Sequence, residues 1–292
     1  MNSLLEKILQ QRPVVTDGAW GTQIQRRGLE PGGSPDSWNL THPSEVEQVA
    51  RSYVEAGSRV ILTNTFGASR TMLEGHGLEH MAREINRAGA AISRRAAGEK
   101  AFVFGSIGPS GRLLVMEEIS PGELSDVFAE QAEALAEGGA QGILVETMSD
   151  LAEAKLAIAA AKKTGLAVIA SMVYDSGKEY DRTIMGTTPE QAAQELAETG
   201  AEVIGANCGL GIEYFSVVSE RLRAATSLPL WIKPNAGLPE VIEGKVQYKT
   251  TPEQFAEHAL SIRRIGADFI GGCCGTSPEF IRALVKAFAE NR

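Results

Sequence analysis

Residues 251–273, TPEQFAEHALSIRRIGADFIGGC, hold a helical pattern that leads directly into a short buried run. Residues 188–207, TPEQAAQELAETGAEVIGAN, repeat this arrangement. In both segments Thr precedes Pro and Glu, which suits an N-cap and a first helical turn, and Gly follows the last helical position, as at a C-cap. A helix followed closely by a short strand indicates repeated units around a parallel sheet.

Short apolar runs of this kind recur eight times along the chain. They end at Asp17, Asn64, Gly108, Glu146, Met172, Asn207, Asn235 and Cys273. Further helical patterns, such as residues 43–57 and 120–139, lie between them. Eight such repeats predict an α/β fold, a (β/α)8 TIM barrel, with residues 1–292 as a single domain. A doubly wound open sheet is the alternative, since periodicity alone does not exclude it. The longer connections, at residues 109–120 and 174–188, are predicted to lie on the face where barrel active sites form.

Composition narrows the class of protein. The 292 residues are 43% hydrophobic and 22% charged, with a formal net charge of −9, so an ordinary globular core is expected and a nucleic-acid partner is not. The start, MNSLLEKILQQR, lacks the apolar run of a secretory signal, and no stretch approaches the roughly 20 apolar residues of a membrane span. We therefore predict a cytoplasmic protein with no membrane partner. Three cysteines are too few for a disulfide framework.

All three cysteines stand at predicted strand ends. Cys208 follows the sixth strand, and Cys273 and Cys274 end the eighth, so only one strand separates them around a barrel. Because the carboxyl ends of barrel strands converge on one mouth, three thiolates can face a common point. Ordinary buried cysteines and a Cys273–Cys274 disulfide are the competing interpretations; the first is weakened by the flanking glycines and the second by a reducing cytoplasm.

Three sulfur ligands suit zinc and leave its fourth position open to a substrate. Because three thiolates offset the metal charge, a substrate thiol bound there would lose its proton yet stay nucleophilic. The predicted chemistry is therefore alkyl transfer to sulfur rather than hydrolysis. Cys208, Cys273 and Cys274 are the predicted metal ligands and catalytic residues.

Seven segments, in this order, carry a resemblance to a known family. They are TDGAWGTQIQ (16–25), TNTFGAS (63–69), GSIGPSG (105–111), VETMSDLAEAKLA (145–157), ANCGLG (206–211), KPNAGLP (233–239) and GGCCGT (271–276). Together they resemble the homocysteine S-methyltransferase family, most closely the homocysteine-binding barrel of cobalamin-dependent methionine synthases. The resemblance covers essentially the whole chain. It implies a (β/α)8 barrel, zinc on the three cysteines, and methyl transfer to homocysteine to form methionine.

Homocysteine carries an ammonium and a carboxylate besides its thiol, so a specific site needs groups for both. Glu146 is the first candidate for the ammonium and Asp17 the second, and the resemblance supports both positions. The structural alternatives are a salt bridge across the mouth for Glu146 and an N-cap or Asx-turn for Asp17. Gly18, Gly108 and Pro109 are predicted to shape turns whose backbone N–H groups reach the carboxylate.

Asn235, Asn64 and Thr65 complete the predicted substrate site. Asn235 lies between the two cysteine-bearing strands, where it can hydrogen-bond a thiolate or the substrate, or fill the open zinc position in the resting enzyme. Its alternative role is a simple turn before Ala236 and Gly237. Asn64 and Thr65 face the same mouth.

The methyl donor is open at the level of sequence. Complete cobalamin-dependent methionine synthases carry folate, cobalamin and reactivation modules after this barrel, whereas this chain stops at Arg292, an end that looks natural but also fits a fragment. Three donors remain: methylcobalamin on a separate corrinoid protein, a small onium compound such as S-methylmethionine or betaine, and a methylated folate on another subunit. Aromatic residues are only 6% of the chain, and Trp20, Phe66 and Tyr174 are the nearest to strand ends. So few rings favour a docking corrinoid protein over an aromatic cage.

Two other functions compete with methionine formation. One is a corrinoid-linked methyltransferase or demethylase that handles a different thiol, or an O-, N- or S-methylated substrate. The other is a non-enzymatic zinc or thiol store, which would need a fourth protein ligand to close the site. No fourth cysteine exists in the chain.

Overall fold

The computed structural model describes residues 2–242 and 245–291. The barrel strands are β1 Val14–Val15, β2 Val60–Leu62, β3 Phe102–Ile107, β4 Gly142–Met148, β5 Ala167–Met172, β6 Val203–Cys208, β7 Leu230–Pro234 and β10 Phe269–Ile270, and a separate antiparallel hairpin consists of β8 Glu240–Ile242 and β9 Lys245–Gln247. The eight barrel strands are parallel and form one sheet in the order β1-β10-β7-β6-β5-β4-β3-β2. A parallel bridge between Thr16 and Val60, and a hydrogen bond from Arg59 N to Val15 O at 2.8 Å, join the two edge strands. The sheet is thereby closed into a barrel.

A long helix follows each barrel strand, which confirms the predicted (β/α)8 barrel. These helices are α4 Pro43–Ala56, α6 Ala82–Ala97, α7 Pro121–Glu137, α8 Leu151–Lys162, α9 Pro189–Thr199, α10 Phe215–Ala225, α11 Pro252–Ile265 and α12 Pro278–Glu290. Four short helices accompany them: α1 Ser3–Ile8, α2 Gly21–Gln25, α3 Trp38–Thr41 and α5 Arg70–Leu73. No helix of the described residues has the length and apolar character needed to cross a membrane.

The predicted helix ends are confirmed by their hydrogen bonds. Ser120, Thr188 and Thr251 each form a capping box with the Glu or Gln three residues later. At the other end, Gly200 and Gly266 adopt left-handed conformations with φ of 107° and 109°, which a side chain would strain. Local sequence therefore determines where α7, α9 and α11 begin and where α9 and α11 end.

The barrel interior is divided into an apolar floor and a polar mouth. Trp231 lies 6.4 Å from Phe104 and 5.3 Å from Phe269 between ring centroids, and α1 packs beneath with Leu5 and Ile8. Since side chains alternate along a strand, the next inward positions lie one layer closer to the mouth. These positions are polar and buried: Ser106, Glu146, Ser171, Asn207 and Lys233.

The two long connections occur where they are predicted, but the β8–β9 hairpin is not foreseen by the sequence analysis. The first connection contains a 3-10 turn at Leu114–Met116, and the second contains an isolated bridge between Ser176 and Arg182. The hairpin lies between β7 and α11, beside the cysteine-bearing strand ends. Short segments with few apolar residues carry little periodic signal, which explains why this pair is not evident in the sequence.

Asp36 gives the fold a testable pH dependence. Burial raises the pKa of this carboxyl to about 6, although Gly67 N donates to its Oδ1 at 3.0 Å. A raised pKa means that the folded state favours the protonated form, so this stabilisation is present below the ordinary pKa of 3.8 and is lost as the pH rises through 6. At 1.36 kcal/mol per pKa unit, the loss amounts to about 3 kcal/mol.

Asp36→Asn is therefore expected to raise the free energy of unfolding at pH 8 by up to about 3 kcal/mol, because asparagine keeps the acceptor without the charge. The gain should shrink as the pH is lowered to 4.5. Urea denaturation at both pH values measures it, with the exposed Asp126→Asn as the matched control. An equal gain at both pH values would contradict burial of the charge as its cause.

Candidate metal and amino-acid site

The end of β7 holds both cysteine-bearing segments in register. Cys208 pairs with Pro234 across the β6–β7 ladder, and Cys273 N donates to Pro234 O at 2.7 Å from the other side. Beyond the end of the strand, Ala236 N donates to Cys274 O at 2.9 Å. Two neighbouring strands are thus tied to one central strand end. This arrangement brings cysteines 65 and 66 residues apart in sequence to one point of the mouth.

The three Sγ atoms all lie within 4.8 Å of one another, and the residues are partly buried. A tetrahedral zinc with bonds of about 2.3 Å places its sulfur ligands about 3.8 Å apart, so this cluster fits the ion after small side-chain rotations. No further His, Cys, Asp or Glu joins the group within residues 2–242 and 245–291. The cluster therefore offers three sulfur donors, one fewer than the four ligands of a tetrahedral zinc.

The thiols strongly favour their protonated forms. The largest single influence on the pKa of Cys208 is a hydrogen bond from Cys273, which lowers it. The hydrogen bond with Cys274, burial and the charge of Cys274 outweigh this effect and raise the pKa of Cys208 to about 12. The pKa of Cys274 is likewise raised to about 12, and the pKa of Cys273 is raised chiefly through its hydrogen bond with Cys208. Any cation that binds all three as thiolates must therefore displace protons.

The backbone of the cluster departs from ordinary strand geometry. Cys208 has φ of 66°, in the left-handed region that non-glycine residues rarely adopt. Gly275, with φ of 83°, lies directly under the ring of Tyr248, and a Cβ on it would come within 2.4 Å of ring carbons. The tyrosine that follows the hairpin thus covers the turn after Cys274, and only glycine allows this packing.

Glu146 lies in an irregular stretch of β4. The ladder between β4 and β5 shifts register between Val145 and Met148, and Thr147 has φ of 59°. Bulges of this kind redirect side chains near barrel rims. Ser106 Oγ donates to Glu146 Oε1 at 2.5 Å, while Oε2 has only a long contact from Asn207 at 3.4 Å. Burial raises the pKa of Glu146, and the charge of Lys233 partly offsets this.

Asn207 connects this bulge with the cysteine cluster. Its Oδ1 accepts from Thr147 N at 2.8 Å and from Ser171 Oγ at 2.7 Å, and its Nδ2 donates to Thr147 Oγ1 at 2.6 Å. The next residue in the chain is Cys208. One fully buried amide therefore fixes the carboxylate-bearing bulge relative to the first cysteine.

Asp17 is fully buried in a different environment from Glu146. Its carboxylate forms an ion pair with Lys233, which is itself 2% exposed, and accepts hydrogen bonds from Leu62 N at 2.7 Å and Trp20 Nε1 at 2.8 Å. The predicted alternatives for Asp17, an N-cap or an Asx-turn, do not describe these contacts, which reach three separate parts of the barrel.

The other predicted residues are placed as follows. Asn235 Nδ2 donates to Gly209 O at 2.5 Å, a hydrogen bond from Asn235 lowers the pKa of Cys208, and its buried Oδ1 has no partner among the described residues. Asn64 Nδ2 donates to Pro35 O at 2.8 Å, and Thr65 Oγ1 donates to Ser106 O at 2.8 Å. Both of these side chains thus hold the loop after β2.

The two predicted glycine turns are tightly packed. The N–H of Gly108 donates to Phe66 O at 3.0 Å, so this group already has a partner, and Pro109 has no N–H to offer. A Cβ on Gly18 would come within 2.8 Å of Tyr53 and Thr276 side chains. These glycines shape the mouth through close packing.

Lys233 and the roles of Asn207, Ser106 and Ser171 were not predicted from the sequence. One signal was available for the lysine: it interrupts the apolar run LWIKP with the same parity as Trp231, so alternation places its charge inside the barrel. The hydroxyls and the amide offer no comparable signal, because polar residues are common at strand ends.

Comparisons with known proteins identify the family of the chain. The family model described as homocysteine S-methyltransferase matches residues 14–288. The chain is 32% identical over 301 residues to a methionine synthase of Mycobacterium tuberculosis, covering 97% of this chain and 25% of that protein. It is also 32% identical over 304 residues to a methionine synthase of Mycobacterium leprae, covering 98% of this chain and 25% of that protein. The chain therefore spans about a quarter of the length of these curated relatives.

Solved structures show the same fold. The metallated form of the homocysteine methyltransferase MmuM from Escherichia coli superposes with a TM-score of 0.80 at 24% identity, covering 97% of this chain and 98% of that one. At this identity the likeness concerns the fold alone. The family model spans every barrel strand, from β1 to β10. The chain belongs to the homocysteine S-methyltransferase family.

Proposed function

We propose that this protein transfers a methyl group to the thiol of homocysteine, forming methionine, and that residues 1–292 act as one zinc-dependent barrel domain. The observation that carries the proposal is that three thiols lie within 4.8 Å of one another in a barrel mouth that also holds the buried carboxylate of Glu146, one oxygen of which accepts only a long hydrogen bond, from Asn207 at 3.4 Å. A thiol amino acid needs both a soft-metal site and an anion at its ammonium end. The barrel mouth offers both.

Cys208, Cys273 and Cys274 would hold the zinc ion. When bound, zinc with three thiolate ligands lowers the pKa of a substrate thiol while leaving its sulfur nucleophilic. Asn235 adjoins Cys208, where its Nδ2 can donate to a ligand thiolate, and its Oδ1, which has no partner among the described residues, can accept from a donor group of the substrate. Closed structural zinc sites usually have four protein ligands, so the three-sulfur set favours a catalytic role.

Glu146 would bind the substrate ammonium. Its Oε2 lacks a short hydrogen bond, and Ser106 and Asn207 hold the carboxylate in place. Asp17 is the second residue that we propose for the amino-acid site, and its carboxylate also contacts Lys233 and Trp20. Gly18, Asn64 and Thr65 would shape the surrounding walls. Thiols that must stay reduced also favour the cytoplasm as the working compartment.

A methylated corrinoid protein is the donor that we propose. The exposed large apolar side chains of the described residues all lie in segments that follow barrel strands, on the mouth face: Phe66, Met72, Leu113, Val115, Met116, Tyr180, Ile184, Met185, Tyr214, Val217 and Leu238. Apolar rims of this kind are typical of surfaces that receive a protein partner. Of the three aromatic residues nearest the strand ends, Tyr174 is only 4% exposed, so it presents little of its ring to a small onium donor.

The donor assignment is tested with purified zinc-loaded protein and homocysteine. We expect methionine from a methylcobalamin-loaded corrinoid protein and none above background from betaine or S-methylmethionine. Product is measured by mass spectrometry, with a Cys274→Ala variant as the control for uncatalysed transfer. Methionine formed at a comparable rate from either onium compound, with no corrinoid present, would contradict the proposed donor while leaving homocysteine as the acceptor.

A further inference from the structure

The two halves of the turn at Cys273 and Cys274 are held by different kinds of contact. Cys273 O accepts from Thr276 N at 3.1 Å and from Thr276 Oγ1 at 2.7 Å, so hydrogen bonds hold the first half. Gly275, which follows Cys274, forms no hydrogen bond with another described residue, and its φ of 83° is one that glycine adopts freely. The position of the second half therefore depends largely on packing.

Tyr248 supplies that packing. Its ring covers the buried Gly275 so closely that a Cβ on the glycine would come within 2.4 Å of ring carbons. The segment that carries the ring is tied to the same strand end as the cysteine, because Thr250 N donates to Ala236 O at 3.4 Å and Ala236 N donates to Cys274 O at 2.9 Å. Tyr248 also packs against the main hydrophobic core. The ring is thus held firmly against the turn.

The phenol group of Tyr248 lies near the thiol cluster. Burial raises the pKa of Tyr248, and the charges of Cys274, Cys208 and Cys273 raise it further, with Cys274 the strongest of the three. That order agrees with the packing of the ring on the turn after Cys274. A phenol with a raised pKa is neutral beside the cluster, so its contribution is one of packing rather than of charge.

We infer that Tyr248 is a positioning residue for the metal site, whose ring packs on Gly275 and so holds the Cys274 sulfur in place for the ion. This inference rests on the proposed function, because it takes the three cysteines as zinc ligands. A ligand that is ordered only when the ion binds loses conformational entropy at that step, and a turn that is held in advance avoids this cost. The β8–β9 hairpin then has a role, since it leads directly into Tyr248.

The test compares Tyr248→Phe with Tyr248→Ala in the full chain, and the readout is the zinc dissociation constant from competition with a chromophoric chelator. Tyr248→Phe keeps the ring and should bind zinc within about threefold of the wild type, whereas Tyr248→Ala should weaken binding about 10- to 100-fold, the usual effect of losing a group that orients a metal ligand. The matched control is Lys249→Ala, which changes the next residue and removes an exposed ion pair with Glu240. It should leave zinc binding unchanged.

Gly275→Ala tests the same contact from the other side. In the wild type, the added Cβ would displace the ring and weaken zinc binding. In the Tyr248→Ala background that clash is gone and only the strain of alanine at a φ of 83° remains. The same change should therefore weaken zinc binding by a factor at least about five times smaller there, as expected of two residues in contact. An equal factor in both backgrounds would overturn the inference.

Two results for Tyr248 itself would also overturn it. One is zinc binding by Tyr248→Ala within about threefold of the wild type. The other is an equal loss in Tyr248→Phe, since the hydroxyl and not the ring would then be needed. If Tyr248→Ala fails to fold, Tyr248→Leu removes the ring while keeping an apolar side chain, and its zinc binding is judged by the same limits. Failure of the wild-type protein to bind zinc would instead refute the proposed function.

Discussion

Cys208→Ala is expected to abolish tight zinc binding and methyl transfer together. Apparent binding free energies of zinc at sites with thiolate ligands are about 10–16 kcal/mol near neutral pH. If three thiolates share this equally, losing one removes about 4 kcal/mol, or roughly a thousandfold in affinity. Cys273→Ala and Cys274→Ala should each cause the same loss of zinc affinity, since all three sulfurs belong to one cluster.

Zinc content after dialysis against a chelator, measured by elemental analysis, checks this expectation. The matched control is Ser219→Ala, which removes a buried hydroxyl that has no hydrogen-bond partner among the described residues and lies on α10. It should retain about one zinc per chain. Full zinc occupancy in the Cys208 variant would show that the metal is held elsewhere, and the proposed ligand set would be wrong.

Glu146→Gln should weaken homocysteine binding by about 1.5 to 3 kcal/mol, the range for hydrogen bonds to charged groups, or roughly 10- to 150-fold. Glutamine keeps the size and the acceptor oxygen for Ser106 but loses the charge that an ammonium group requires. Zinc content should not change, because Glu146 is not part of the thiol cluster.

Calorimetric titration of the zinc-loaded variant measures the loss. The control is Glu190→Gln, a carboxylate on the same face whose charge is matched by Arg221. It should bind homocysteine as the wild type does. Parallel loss of zinc and homocysteine in Glu146→Gln would assign this residue a structural role in the mouth, and an unchanged affinity would move the ammonium site elsewhere.

The sequence by itself determined the barrel and the cysteine cluster. Helix caps such as Thr188 and Gly200 are local signals, and eight alternations of strand and helix leave few parallel topologies. Once the barrel is accepted, strand order alone places Cys208 and Cys273 on either side of β7. Glu146 followed from the same logic, since a charged residue at the end of an apolar run must face the mouth.

Only the tertiary structure decided how the polar groups are paired. Lys233 and Asp17 are 216 residues apart, and their contact depends on the side-chain layers that barrel closure sets. The irregular register at Thr147 is accompanied by long-range hydrogen bonds with Asn207, and the left-handed Cys208 pairs with Pro234 on the next strand. Hydrophobic periodicity indicates on which face of a strand or helix a side chain lies, because it reflects local geometry. It does not report which buried charge meets which, because that choice is made by packing between distant strands.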